Sequence, residues 1–596
     1  MQDLTLYEGQ PVTLSGDGFI QYQDAGMDFL PPLRPLVRSA CETVKADIAG
    51  RQKPKPMFVT SGGEWRARRR AKKLDKFVEG QMCQAMGIYA NFWELMEEGF
   101  HDASKIGDGF VKIIADQEHR RVYGEKVNAW ELFVDPVEGK YGCPQNLFHI
   151  YPMEVDKVIE MFVEFDDNGD PVDADNWDKY NGILAAGKPW MNLPITRVVE
   201  QLKIREAWRL PFSKDTPGKH VICVENVVLF EEDWEWDSFP FIHIWWEKKT
   251  GSFWSQGIGS AHGAQHVEVN ESANRLKNRI RICSTKRTYV PEGGVEISHM
   301  EEGGMPEIII PVKSRELIPV ETETPPATGE EFQWVETGES KFYAMSGVSQ
   351  MSASSQKEPG LNSGVALRTM NDIGAVRFTP KARRYEQCFA TAGKLFVRAA
   401  ATIADDEGGY LVNWPGKRFL SKLNWKDVSL DEDLYDIRVP SVSMFSREPA
   451  AVMQTAQELH QAGIINRETF LQMIPMPDLD SMFSRETAER EFLEELFDRF
   501  LDSENDDELE KLGGYESPAA FIINKNAAMW LAVSTYWEAK RDRAPDFCLE
   551  LLERWISELD KQIKALSAPP PSPEAPGALP AGATPPATTV LRGQAA

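Results

Sequence analysis

The sequence predicts an α+β chain of several parts, and three features carry that prediction. Short β-branched and aromatic runs are interspersed with helical spacing as far as Trp246. A long polar helix, a small strand-rich insert and a second helical stretch follow one another between Gly257 and Ser346. From Arg447 onward the pattern is helical until a Pro/Ala-rich end. A length of 596 residues allows about four domains.

The composition is that of a soluble chain, with 27% charged and 42% hydrophobic residues. Seventeen Trp suit large packed interfaces. A net charge of −26 argues against a protein that grips nucleic acid over its whole surface. It leaves open a channel through which DNA slides, or simply acidity that keeps a large protein in solution. Seven scattered cysteines without a CxxC predict neither a disulfide framework nor a zinc site, and a reducing compartment during folding. No secretory layout opens the chain and no apolar run is long enough to span a bilayer, so the protein is expected to fold in a cytoplasm.

Taken in order, residues 31–50 carry Leu33, Leu36, Val37, Ala40, Val44 and Ile48 at helical spacing. Residues 64–99 read as one or two helices bearing the basic run Arg66, Arg68, Arg69, Arg70, Lys72, Lys73 and Lys76. That run is read as a solvated helix face or a subunit contact, with phosphate contact as the alternative. Strands are expected at Phe110–Ala115, Val122–Val127, Leu132–Asp135, Val158–Phe165, Val221–Glu231 and Phe239–Trp246. From Ile258 to Cys283 the residues Val269, Ala273, Leu276, Ile280 and Cys283 form a narrow apolar seam, suited to helix-against-helix packing. Such a helix is about 39 Å long. Residues 284–324 hold the strands Arg287–Val290, Glu307–Val312 and Glu316–Val320, in a lobe too small to bury a core without neighbouring copies. A helix capped by Asn362 or Ser363 follows, and Pro380 is expected to kink it. Residues 408–445 look strand-like. Residues 447–566 look helical around an acidic interruption, with a hairpin of Ser517–Arg543 and Pro545–Leu566. The Pro/Ala-rich end cannot form a packed core and reads as a disordered tail.

Three motifs imitate chemistry. Gly182 to Pro189 matches a phosphate loop until Pro189 replaces the magnesium-holding hydroxyl. Glu164 to Asp175 mimics a calcium loop with the wrong end residues and with Pro171 inside, and Asn168-Gly169 is better read as a hairpin turn. Gly257, Gly259 and Gly263 miss the dinucleotide spacing and open a long polar helix. His262 and His266, one turn apart, could share a metal but are read as polar side chains on the helix surface. No hydrolase or metalloprotease spacing occurs, so neither catalytic residues, a metal nor a cofactor is expected.

The stretch FWSQGIGSAHGAQHVEVNESANRLKNRI resembles the stem-helix entry of the portal proteins of tailed bacteriophages. GVSQMSASSQKEPGLNSGVALRTMNDIGAVRFTPKARRYEQ is similar to their tunnel loop and kinked tunnel helix. KADIAGRQKPKPMFVTSGGEWRARRRAKKLDKFVEG and HDASKIGDGFVKI resemble the opening of their wing domain. The resemblance covers most of residues 30–400, and the order of the pieces is its specific part. It implies a portal fold: an α/β wing at 1–255, a stem helix at 256–283, a β-rich clip at 284–325 and a returning stem helix at 326–345. A tunnel loop at 346–363, a kinked tunnel helix at 364–402, wing strands at 403–446, a helical crown at 447–566 and the tail at 567–596 complete it. Pro325, Pro326, Gly329 and Gly338 depart from the pattern and predict a short returning helix.

The resemblance further implies a ring, usually of twelve copies, at one capsid vertex of a virion assembled in the host cytoplasm. Such rings pass double-stranded DNA during packaging and ejection without reading its sequence. Their partners are the large terminase subunit, a head-tail adaptor, the major capsid protein and scaffold, with no membrane. DNA-facing candidates are Ser352, Ser354, Ser355, Gln356 and Lys357 in the loop, and Arg275, Lys277, Arg279, Arg281, Lys286 and Arg287 on stem and clip. For those stem charges, pairing between subunits with Glu268, Glu271 and Glu336 is the alternative. Val269, Ala273, Leu276 and Ile280 are the subunit-interface candidates. A ring of such acidic subunits carries on the order of −300 charges, which keeps DNA from sticking to its wall. The competing readings are a metal-dependent nucleic-acid-processing enzyme, which needs clustered carboxylates, and another, non-portal scaffold protein of the virion.

Overall fold

The computed structural model describes residues 34–50, 53–60, 64–166, 170–186, 201–213, 216–225, 227–284, 286–291, 307–313, 326–349, 377–404, 409–415, 420–440, 449–463, 488–503, 505–519 and 521–567, with isolated pieces at 7, 12–14, 20–22 and 353. The fold is mixed helix and sheet, in two compact units, Met1–Glu448 and Pro449–Ala596.

In the first unit β1 (Val12–Leu14) and β2 (Ile20–Tyr22) pair antiparallel. Helix α1 (Leu36–Val44) buries Leu36, Val37, Ala40 and Val44 on one face, as their spacing predicts, and runs into a π turn at Lys45–Ala49. After β3 (Met57–Thr60) come α2 (Trp65–Met82) and α3 (Phe92–Ile106). The Asn91 side chain caps α3 by accepting from the Glu94 N–H at 3.1 Å, and Gly107 ends it with a φ of 109°. That turn drops the chain into β4 (Asp108–Asp116), which pairs with β5 (Arg121–Val127).

Helix α3 lies unusually close to β4. A Cβ on Gly109 would stand 1.9 Å from the Gly99 carbonyl oxygen, so no side chain fits there. The contact lets Phe92, Leu95, Met96 and Phe100 reach the core.

The second sheet has five antiparallel strands in the order β10-β9-β8-β7-β6. They are β6 (Leu132–Phe133), β7 (Asn146–Glu154), β8 (Gln201–Arg209), β9 (Gly218–Val224) and β10 (Val227–Trp234). Helices α4 (Val155–Phe162) and α5 (Ala174–Ala186) join Leu202, Ile204, Val224 and Leu229 in one apolar cluster. Strand β8 alternates buried Leu202, Ile204, Glu206 and Trp208 with more exposed neighbours, the signature of a half-buried strand. Strand β11 (Phe241–Trp245) returns to pair with β4. A two-residue ladder of β12 (Glu247–Lys248) with β13 (Ser255–Gln256) leads to the next helix.

Three strand predictions are corrected here. The run expected as the strand Val158–Phe165 is helical to Phe162, because Val155, Val158, Ile159 and Phe162 step by three and four. The run expected as one strand, Val221–Glu231, is a hairpin that turns at Glu225, whose φ is 46°. The expected strand Leu132–Asp135 keeps only Leu132–Phe133.

The central segment consists of α6 (Ile258–Ser284), β14 (Lys286–Pro291), β15 (Glu307–Val312) and α7 (Gly329–Ser346). Strands β14 and β15 pair in parallel, whereas the expected strand Glu316–Val320 lies outside the described residues. Helix α8 (Thr379–Ala404) crosses the core, burying Tyr385, Phe389, Leu395, Phe396 and Ile403. Phe92 meets Phe389 and Phe396 edge-on at 6.0 and 4.9 Å. Beyond it β16 (Leu411–Pro415) pairs with β17 (Leu420–Asn424), and Trp425–Val428 makes one helical turn. Strand β18 (Tyr435–Arg438) then closes the unit by pairing with β3.

The second unit is helical: α9 (Pro449–Gln461), α10 (Ala488–Asp502), α11 (Asp506–Lys511), α12 (Lys525–Arg541) and α13 (Asp546–Ser567). Phe497 and Trp555 meet edge-on at 4.8 Å in its core. The Pro/Ala-rich tail lies outside the described residues. No helix among the described residues is long and apolar enough to cross a membrane.

Gly109→Ala should therefore destabilise the first unit by about 3 kcal/mol or more, because the new methyl group meets backbone that cannot move aside. Gly251→Ala is the control for glycine replacement in open space, at a turn where φ is 74°. Thermal melts of the two variants should differ strongly in their midpoints.

Candidate nucleic-acid interface

Helices α6 and α7 lie side by side and run in opposite directions: Arg279 pairs with Glu331 near one end, and Val269 meets Gly338 nearer the other. A Cβ on Gly338 would stand 2.9 Å from Val269 Cγ2, so the glycine expected to shorten this helix instead admits its neighbour. Helix α7 spans 18 residues, opened by a capping box of Thr328 and Glu331. At the base, the Asn270 side chain accepts from the Arg34 N–H at 3.0 Å and donates to the Arg34 carbonyl at 2.9 Å. Arg34 also pairs with Glu339, and the Tyr343 hydroxyl donates to Ser39 Oγ at 3.3 Å. Helix α1 and the residue leading into it thus clamp both long helices.

The seam residues divide between two environments. Val269 and Ala273 are buried in the core cluster with Val335 of α7, and Leu276 is partly buried against it. They are covered by their own chain, whereas Ile280 is 45% exposed. His266, expected on the helix surface, is buried beside Asn270, and burial lowers its pKa to about 4. Gly257 presses on the backbone of Lys105, so this glycine serves helix packing rather than a cofactor. Gly182 lies inside α5, which excludes a loop conformation for that part of the phosphate-loop imitation.

Of the six basic candidates, Arg275 is paired with Glu271 of its own chain at 3.5 Å and Arg279 with Glu331. Lys277 is exposed, with no carboxylate partner among the described residues. Arg281 lies on α6 and Lys286 and Arg287 on β14, with side chains outside the described residues. Ser352, Ser354, Ser355, Gln356 and Lys357 also lie outside them, as do residues 364–376. The described part of the following helix begins at Thr379, so Pro380 stands in its first turn, where its missing N–H breaks no helical bond.

At that helix start the structure gathers cations and indoles that no motif singled out. Arg384 stacks on Trp245 with its guanidinium carbon 3.1 Å from the ring centre, and donates to the Trp246 carbonyl at 3.1 Å. Lys381 Nζ sits 3.6 Å from the centre of the Trp246 ring, and Lys248 Nζ 5.3 Å from that of Trp245. Arg377 donates to the Ala344 and Met345 carbonyls at the end of α7. Burial lowers the Lys381 pKa to about 8; Glu247 opposes the shift, and Arg377 and Arg384 add to it. These cations lie against rings and carbonyls, and none of them forms an ion pair among the described residues. The signal in the sequence was Trp245-Trp246 two residues before Lys248-Lys249, and Lys381 three before Arg384.

A second polar group is sealed between the two sheets. Glu206 accepts from Lys112 Nζ at 2.6 Å and lies 2.9 Å from His220 Nε2, while His220 Nδ1 lies 2.7 Å from Glu232. Trp208 stacks on His220 at 4.9 Å. Burial alone would raise the Glu206 pKa, but Lys112, His149 and His220 hold it well below the usual carboxylate range. Burial would lower the His220 pKa, and its two glutamates raise it. Among the described residues, no group of three or more His, Cys, Asp or Glu is arranged to hold a metal ion.

The two shifts act at opposite ends of the pH scale. Glu206 contributes fully above its unfolded value of about 4.3 and loses that contribution as pH falls through and below it. His220 contributes fully below about 6.5 and loses it as pH rises through its raised folded value. Glu206→Gln should cost about 3 kcal/mol or more at pH 6, by leaving Lys112 buried without its partner. Melts of both proteins at pH 6 and pH 4 should show the variant losing less on acidification.

No known family profile matches the chain, and no curated protein is significantly similar to it in sequence.

Proposed function

We propose that the protein is a portal subunit of a tailed bacteriophage, forming a ring at one capsid vertex through which double-stranded DNA is packaged and ejected. The observation that carries this reading is the out-and-back pair of long helices. Helix α6 leaves the α/β body, β14 and β15 follow it, and α7 runs back alongside α6 to end against Arg377, just before α8. In a subunit lining an axis, such a pair would be the stem. Lys381 and Arg384 of the cation–indole cluster stand at the start of α8, the next described helix after the Ser/Gln-rich loop that the reading turns toward DNA. It offers phosphate attraction without base readout. The acidic remainder of the subunit keeps that attraction local. In this reading the protein catalyses nothing and serves as docking platform for the terminase motor and the tail adaptor.

Electron microscopy of the purified protein tests the proposal: rings with a central hole of duplex width are expected, and a monomer or solid particle overturns it. Assembly contacts are best probed at Ile280 and Trp334, 45% and 61% exposed, because charging Ala273 would disrupt the helix pair inside one subunit. Shortening the loop Met351–Pro359 should leave rings intact and reduce packaged or retained DNA, measured as genome content per particle. Normal genome content in those particles would remove the loop from the mechanism.

A further inference from the structure

Helices α12 and α13 of the second unit form an antiparallel hairpin. Lys525 Nζ donates to Gln562 Oε1 at 3.3 Å, and the Tyr536 hydroxyl donates to Glu553 at 2.7 Å. The inner face of α12 is lined by small buried residues, Ala528, Ala532 and Ala539. Its outer face carries large apolar ones. Trp530 is 68% and Trp537 59% exposed, and Ile523, just before the helix, is 93% exposed. Trp530 and Trp537 are seven positions apart on the helix, so they line up along its axis about 10.5 Å apart. Such a row of aromatics costs solubility unless something covers it.

The sequence that leaves this hairpin fits the row. Helix α13 ends at Ser567, and Gln562 Nε2 donates to the Pro518 carbonyl at 2.7 Å, which places that end beside the entry to α12. The following residues include Pro570, Pro573 and Pro576, a strict interval of three. In a polyproline II helix that interval puts them on one edge, about 9.3 Å apart, close to the indole spacing. Six residues past Ser567 reach about 19 Å in that conformation. Laid along α12 in that conformation, Pro573 would reach the level of Trp530, about 15 Å from Ser567 along the axis, and Pro576 that of Trp537. Polyproline II has no internal hydrogen bonds, so its carbonyls are free to accept from indole N–H groups, the mode by which aromatic-lined surfaces take proline-rich segments.

We propose that the proline-rich segment 568–580 packs on the Trp530–Trp537 face of its own chain. This inference concerns the second unit alone and stands or falls apart from the portal reading. Hydroxyl-radical footprinting of the full chain tests it. Trp530 and Trp537 should be oxidised several-fold more slowly than in the full-length variant Pro570→Gly/Pro573→Gly/Pro576→Gly, and than in a chain ending at Ser567. The helical circular dichroism signal should be the same for all three, since the changes lie beyond the last helix. Cross-linking a mixture of isotopically light and heavy protein should join the segment to α12 in unmixed pairs. Equal oxidation rates overturn the proposal, as does protection that survives the triple substitution, which would mean another occupant. Mixed light–heavy pairs overturn it in favour of a second copy.

Discussion

The first unit depends on a backbone-to-backbone contact between α3 and β4. Gly99 and Gly109 let the helix lie directly on the strand, with the carbonyl of one where a side chain of the other would be. Everything central is measured from that contact. It sets the depth at which Phe92 meets Phe389 and Phe396, and so the height at which α8 crosses the sheet. It also fixes the Gly107 corner, whose backbone approaches Ser255 just before α6 departs. The long helices are thus held at their root by glycine contacts and by the Asn270 clamp on Arg34, beside the apolar contacts of Val269, Ala273, Val335 and Phe342 in the core cluster.

Much of this was legible in the sequence where the period was long and uninterrupted. The helices at Leu36–Val44 and Ile258–Ser284 follow from apolar spacing, and β4 and β5 from β-branched runs, whereas Gly329–Ser346 is longer than the short returning helix expected there. The failures have local causes. Val155 to Phe162 holds enough valine and isoleucine to resemble a strand, yet its steps of three and four settle the matter. The run from Val221 to Glu231 hides its turn at a residue, Glu225, whose positive φ composition does not announce. Gly338 was read through its propensity, which counts against a helix, when its role is steric and belongs to the partner helix.

The candidate site was legible in a different proportion. Charge on α6 could be counted, but not that Arg275 and Arg279 spend theirs on Glu271 and Glu331 of the same chain. The cluster at Trp245, Trp246, Lys381 and Arg384 joins residues more than a hundred positions apart, and only β11 packing beside α8 brings them together. Likewise the Glu206 group draws one residue from each of several strands, so no local spacing could reveal it.

The environment of Lys381 has a chemical consequence of its own. Ordinary lysines are almost wholly protonated in neutral water, and an ammonium ion is no nucleophile. An amine with a pKa of about 8, lowered mainly by burial and held against the Trp246 ring, exists in appreciable part as the free base under the same conditions. Its free-base fraction is therefore larger than that of an ordinary surface lysine.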